Sequence, residues 1–412
     1  MSIFFHIDVN SAFLSWSALE QLNQGSSVDL REIPSIIGGD SSNRHGIVLA
    51  KSLPAKAYGI NTAEPISDAL KKCPNLTIQS PDLSLYKRRS NELMELLSNI
   101  CPDIEQVSID ECFMDYTPIA ALYPDPVSAA SFIKDTVFQQ LGFTVNIGIS
   151  NRKVLAKMAS NFKKPNLVHT LFHDEIQTKM WHLPVSSLYM CGRSSVETLH
   201  NLGIMTIGDL AKSNLSIITS HLKSHGKLLW EYANGIDNSP ICTTPAERKG
   251  IGNSTTLAKD VLTMEEIQKV LLSLAESVSG RLRKSHMKAS MVSVEIKYST
   301  FQSVSHQTTL SAPTNDGTLL HKTACELAKE LWDGSPVRLL GIRTSKLCDE
   351  TEPIQLRLQD FLAASSPSVT SQKTDSLNQA LDKIRSKYGQ NAIVRGSLLT
   401  QNTEIQQDDS HF

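Results

Sequence analysis

The chain of 412 residues has little cysteine, no long hydrophobic run and almost no net charge. Its seven cysteines are far apart, odd in number and never form a Cys-x-x-Cys pair. That pattern argues against a disulfide framework or a zinc site and predicts a reducing, cytoplasmic setting. No apolar run approaches the roughly 20 residues of a membrane span, so no membrane partner is expected. Met1-Ser2-Ile3-Phe4-Phe5 carries no basic segment and reaches Asp8 too soon to be a signal peptide. The 12 histidines show no metal-ligand spacing. A net charge of −2 gives no global sign of a polyanionic partner.

What is present is globular: 40% hydrophobic and 20% charged residues. The length calls for two to four domains. Charge is regional. From Asn151 to Pro165 the chain holds Arg152, Lys153, Lys157, Lys163 and Lys164 and no acid. From Ala246 to Leu347 there are 14 Lys and Arg against 10 Asp and Glu. Either patch alone reads as a solvated helix face.

Hydrophobic periodicity gives the order of elements. Ile3 to Val9 reads as a buried strand and Ser84 to Ile100 as a helix. Ile104 to Ile109 and Cys112 to Tyr116 read as two strands joined by almost no turn. A helix from Val127 to Leu141, begun by Pro126, and a strand from Phe143 to Ile149 follow. This β, α, β, β, α, β order is the ferredoxin-like split arrangement. In that fold the first and third strands are antiparallel neighbours. The end of strand one, at Asp8, then lies beside the start of strand three, at Asp110 and Glu111.

Three carboxylates set among apolar strand residues are costly unless they are paired or bind a cation. Two divalent ions about 4 Å apart need several such carboxylates to offset their repulsion. Mg²⁺ takes hard oxygen ligands and keeps sites for phosphate. Asp8, Asp110 and Glu111, with the Val9 carbonyl, can supply that set. Three turn-end acids facing water are the alternative.

The chain resembles Y-family translesion DNA polymerases of the DinB/UmuC group. The resemblance rests on Asp8-Val9-Asn10-Ser11-Ala12-Phe13, Ser108-Ile109-Asp110-Glu111 and Asn146-Ile147-Gly148-Ile149-Ser150-Asn151. Lys157-Met158-Ala159-Ser160 with Lys164-Pro165, and Leu202-Gly203-Ile204 with Thr206-Ile207-Gly208-Asp209-Leu210, complete it. These lie in family order over residues 1 to about 345.

The resemblance implies an α+β multidomain fold. Its parts are a ferredoxin-like palm (1–10 and 81–165), inserted fingers (11–80), a helix-hairpin-helix thumb (166–236), a linker (237–254), an α+β little finger (255–347) and a tail (348–412). It implies Asp8, Asp110 and Glu111 as catalytic metal ligands, with Val9, for two Mg²⁺ ions that Mn²⁺ can replace. Phe13 is then the steric gate that selects deoxynucleotides by shape. Lys164 matches a lysine on the incoming triphosphate. In the fingers, Leu53 and Lys56 stand where many relatives carry Tyr and Arg, so Ser52, Lys51 and Lys56 are left for nucleotide binding. Lysine brings charge there without the bidentate fork of arginine.

Glycine turns at Gly192, Gly203 and Gly208 are expected to offer backbone N–H groups to DNA phosphates. Among its basic residues the little finger offers Arg281, Arg283, Lys284, Lys288, Lys297, Arg338 and Arg343, of which Lys288, Lys297, Arg338 and Arg343 are taken as DNA contacts. Gln355-Leu356-Arg357-Leu358, with Phe361, resembles a peptide that docks into the bacterial sliding clamp. The implied reaction is primer extension by a monomer on primer-template DNA from deoxynucleoside triphosphates, error-prone and of low processivity. A non-catalytic DNA-binding scaffold and a nucleotidyl cyclase are the rival readings.

Overall fold

The computed structural model describes residues 2–39, 46–244, 247–352, 369–389 and 392–396. They fall into two compact units, one before and one after the boundary at 245/246. Among the described residues no helix is long and apolar enough to cross a membrane.

The first unit opens with β1 (Phe4–Val9) and α1 (Ala12–Asn23), then β2 (Ser35–Gly38), β3 (Val48–Lys51), α2 (Leu53–Ala57), α3 (Ile66–Lys72) and β4 (Thr77–Gln79). Next come α4 (Leu83–Ile100), β5 (Ile104–Gln106), β6 (Glu111–Asp115), α5 (Pro126–Leu141), β7 (Val145–Ser150), α6 (Lys153–Ser160) and β8 (Val168–Thr170). Four helices follow: α7 (Ile176–Lys179), α8 (Arg193–Asn201), α9 (Ile207–Lys212) and α10 (Leu215–Ala233).

The main sheet has the order β5-β6-β1-β7-β8. Its first four strands form the ferredoxin-like order expected from the sequence, and β8 adds a parallel edge. Phe5, Ile7 and Val9 join the core under α4 and α5 with Leu93, Leu97, Ile133 and Val137. The strand period of two then turns His6 and Asp8 to the opposite face, where α6 packs. Caps fix the helices. Asp125 accepts from Val127 and Ser128 N–H at 2.8 and 2.9 Å, Pro126 opens α5, and Gly142 (φ 77°) closes it. Such an N-cap contributes about 1 kcal/mol.

The segment between β1 and α4 is partly a small sheet, β3-β2-β4, with its own core of Ile36, Val48, Ile60 and Ile66. Helix α1 differs: Leu14, Trp16 and Ala18 bury into the same core as β1. The strand read over Ile104 to Ile109 stops at Gln106, because residues 107–110 turn the chain into β6.

The second unit has β9 (Gly250–Val261), α11 (Met264–Lys284), β10 (Met287–Tyr298), β11 (Ser303–Thr314), α12 (Gly317–Leu331) and β12 (Val337–Asp349). The sheet order is β11-β10-β12-β9, all antiparallel, with α11 and α12 over one face. Strand β9 begins inside the span read as linker. Its Gly-Ile-Gly-Asn-Ser-Thr-Thr opening buries Ile251 and Asn253 but has the composition of a loop. A last helix spans Val369–Tyr388.

Candidate active site

Asp8 and Glu111 are direct cross-strand partners on β1 and β6. The Val9 N–H donates to the Asp110 carbonyl at 3.0 Å, which fixes the neighbouring pair. Strand geometry thus sets Asp8 beside Glu111, from distant parts of the chain, and holds the Asp110 backbone against Val9. The Asp8 and Glu111 side chains are only 14% and 17% exposed. Asp110 is half-buried in the turn before β6, where its Oδ1 accepts from the Ser108 hydroxyl at 2.6 Å.

Two lysines answer this charge. Lys157, on α6, ion-pairs with Glu111 and stands 3.9 Å from Asp8. Lys164, in the turn after α6, donates to Asp8 Oδ1 at 2.6 Å. The basic run pointed to this cluster, but only the packing of α6 on the sheet identifies Lys157 as Glu111's partner. Beneath them His6 is buried, with Nδ1 2.8 Å from Ser160 Oγ and Nε2 3.6 Å from Glu111. Burial first, then Lys157 and Lys164, hold its pKa well below the usual histidine value, so it is neutral.

Among the described residues no group of three or more His, Cys, Asp or Glu side chains is placed to hold a metal ion. The donor set nevertheless fits hard divalent ions. Asp8 and Glu111 lie side by side as hard oxygen donors, and ammonium groups stand on their oxygens as stand-in cations.

Phe13 follows Asp8 on α1, after a left-handed turn at Ser11 (φ 47°). Its half-buried ring stacks on Tyr86 of α4, with centroids 4.3 Å apart and planes 7° apart. The Tyr86 hydroxyl bonds Ser17 Oγ at 2.9 Å. Sequence reasoning missed Tyr86, which lies in the basic first turns of α4.

In the fingers, Ser52 is 2% exposed. Its hydroxyl donates to the Ile33 carbonyl at 2.7 Å and accepts from Ala55 and Ser35 N–H at 3.0 and 3.1 Å. Ser52 is the cap of α2 and leaves the nucleotide-binding set. Lys56 is exposed on α2, and Leu53 is exposed beside it. Lys51 is half-buried. Burial, followed by the Lys56 charge, draws its pKa below the usual lysine value.

Gly192, Gly203 and Gly208 use their N–H groups internally, on the carbonyls of Met190, His200 and Trp181, at 3.1, 2.9 and 2.9 Å. A Cβ on Gly208 would meet Trp181 at 3.0 Å, so that glycine serves packing. The first turn of α8, after Gly192, has no side-chain cap, and Gly203 takes φ 77°. Any amide offered to a phosphate here belongs to neighbouring residues and not to the glycines.

In the second unit, Lys297 and Arg343 share the sheet face opposite α11 and α12, with Ser293 paired to Arg343. Arg338 lies instead over the Phe301 ring at 4.7 Å. Lys288 donates to the Glu350 carbonyl at 3.3 Å. Arg283 bonds Asp382 of the last helix at 2.6 and 2.9 Å. Gln355, Leu356, Leu358 and Phe361 lie outside the described residues.

Comparison with known proteins follows the same lines. Residues 7–161 match the impB/mucB/samB family, and residues 248–358 match that family's C-terminal domain. The chain is 45% identical to DNA polymerase IV of Clostridium acetobutylicum, over 96% of this chain and 98% of that protein. It is 33% identical to DNA polymerase IV 2 of Bacillus subtilis, over 97% of this chain and 95% of that one. Among solved structures, a Y-family DNA polymerase chimera of Dbh and Dpo4 shares the fold. Its TM-score is 0.74 at 20% identity, over 84% of this chain and 99% of that one. Full-length likeness to polymerases of one kind decides among polymerase, scaffold and cyclase. The chain belongs to the impB/mucB/samB family and is a DinB-like, Y-family DNA-directed DNA polymerase of translesion synthesis.

Proposed function

We propose that Asp8, Asp110 and Glu111, with the Val9 carbonyl, hold two Mg²⁺ ions during primer extension, and that Mn²⁺ can replace them. As a family member the chain depends on a divalent metal and acts on primer-template DNA and deoxynucleoside triphosphates. The observation that supports this assignment is the Asp8 to Glu111 register, reinforced by the bond from Val9 to Asp110. When bound, the ions ease deprotonation of the primer hydroxyl and neutralise the triphosphate and the departing pyrophosphate.

The chain's own residues do the rest. Lys164 and Lys157 hold the charge of Asp8 and Glu111, and ions bound there would leave both ammonium groups free of their partners. Lys164 then turns its ammonium to the triphosphate, and Lys56 adds a second cation from the fingers. Phe13, held flat by Tyr86, lies under the sugar and leaves no room for a 2′-hydroxyl. Lys297 and Arg343 track the duplex backbone from the open sheet face, with Arg338 and Lys288 at its margins.

The domain limits we assign are those of the palm, fingers, thumb, linker and little finger given above, with the linker shortened to end before Gly250. We further assign the Gln355 to Phe361 segment to a bacterial sliding clamp and take the polymerase to be a monomer; both rest on the sequence.

The test is extension of a labelled primer with Mg²⁺ by the wild type and by Asp110→Ala combined with Glu111→Ala. Extension by the wild type alone supports the assignment. Comparable extension by the double variant refutes it.

A further inference from the structure

Lys164 sits in an irregular turn between α6 and β8, where no regular element fixes a lysine. The backbone of this turn is held by two asparagines, Asn146 of β7 and Asn10 in the turn just after β1. Asn146, on β7, is fully buried. Its Nδ2 donates to the carbonyls of Ser160 and Lys163 at 3.2 and 2.9 Å. Its Oδ1 accepts from Leu167 N–H and from Asn10 Nδ2, both at 3.2 Å. Asn10, two residues after Asp8, accepts the Asn166 N–H on its own Oδ1 at 2.9 Å. Four backbone groups flanking Lys164 therefore end on two side-chain amides.

The amide of Asn146 is saturated, with both donors and both acceptor sites in use. Saturated buried networks fix one arrangement and tolerate few others. The turn needs such support. Asn166 takes a left-handed φ of 59°, uncommon outside glycine though easiest for asparagine. Sequence chemistry agrees: an aspartate at position 146 would set its oxygens against the Ser160 and Lys163 carbonyls, and an alanine would leave four partners unmatched.

We propose that Asn10 and Asn146 are positioning residues for Lys164. They set the height of its turn over Asp8, so that the same ammonium reaches the carboxylate in the resting enzyme and the triphosphate in the loaded one. The inference rests on the reading of Lys164 as a triphosphate contact. A residue that acts only through Lys164 moves nucleotide affinity and leaves the chemical step nearly unchanged.

The experiment is single-nucleotide insertion on primer-template DNA by Asn10→Ala, Lys164→Ala and the double variant, each checked by thermal melting. Asn146→Ala is run beside them, and Asn10→Ala carries the test if Asn146→Ala does not fold. Lys164→Ala is expected to raise KM for the nucleotide about tenfold or more, and Asn10→Ala about five- to tenfold with kcat within about twofold. The double variant should match Lys164→Ala alone, because coupled residues are not additive. Multiplying effects, or an unchanged KM in Asn10→Ala, overturn the positioning role while the reading of Lys164 stands. An unchanged KM in Lys164→Ala overturns that reading itself and the positioning role with it.

Discussion

Lys157 and Glu111 are ion-paired across the sheet face, one on α6 and the other on β6, with side chains 11% and 17% exposed. Removing one member of a buried pair leaves its partner uncompensated and costs about 3–5 kcal/mol. Lys157→Met should therefore melt well below the wild type in metal-free buffer. Excess Mg²⁺ should restore part of the loss, since a cation that binds the folded state stabilises it. Thermal denaturation with and without Mg²⁺ reads this directly. Equal Mg²⁺ responses in the two proteins would count against a shared cation site.

The acids were legible in the sequence because two constraints sufficed: strand periodicity and the neighbour rule of a split β-α-β fold. Helix α5 was legible for local reasons, having Asp125, Pro126 and Gly142 at its ends. Ser52 was misread because its hydroxyl is engaged by Ile33 and Ser35, contacts across the fingers that no local pattern announces. The start of β9 was missed because an edge strand of glycine, serine and threonine has a loop's composition. Glu111's lysine partner was not legible, since it depends on how α6 lies across β1 and β7.

Phe13→Val should admit ribonucleotides. The clash of a 2′-hydroxyl with a well-packed ring is a shape effect, and rejection of one added hydroxyl by an apolar pocket is worth about a hundredfold. Phe13 is stacked on Tyr86 and cannot give way. The ratio of kcat/KM for deoxy- and ribonucleotides measures it. Unchanged selectivity would remove Phe13 from the gate.

Asp82 links helix stability to that gate. It caps α4 by accepting the Leu85 N–H at 3.0 Å, in the turn that carries Tyr86. The Leu85 N–H, then the Ser84 hydroxyl, hold its carboxyl below the ordinary aspartate value of 3.8. The folded pKa lies under the unfolded one. The contribution is thus present above 3.8 and is lost as pH falls through the folded value. Asp82→Ala should cost about 1 kcal/mol at neutral pH. Urea unfolding at neutral pH and near pH 2 tests the sign, because the gap between wild type and variant should narrow in acid.

The open sheet face of the second unit gives a prediction about DNA. Lys297 and Arg343 stand there with Ser293, Gly341 and Gly252, small residues that let a phosphate backbone approach closely, and with the acid Glu295 between them. Each phosphate neutralised releases counterions and adds about 0.9 to the slope of log affinity against log salt. Lys297→Ala and Arg343→Ala should each weaken duplex binding and lower that slope by about one, irrespective of DNA sequence. Arg283→Ala is the internal control. Its guanidinium is bound to Asp382 and to the Asn315 carbonyl, so the slope should stay while the last helix loosens. Fluorescence anisotropy on a labelled duplex from low to moderate salt separates the cases. If Arg283→Ala lowers the slope and Arg343→Ala does not, the nucleic-acid surface lies on the helical side of this unit and not on its sheet.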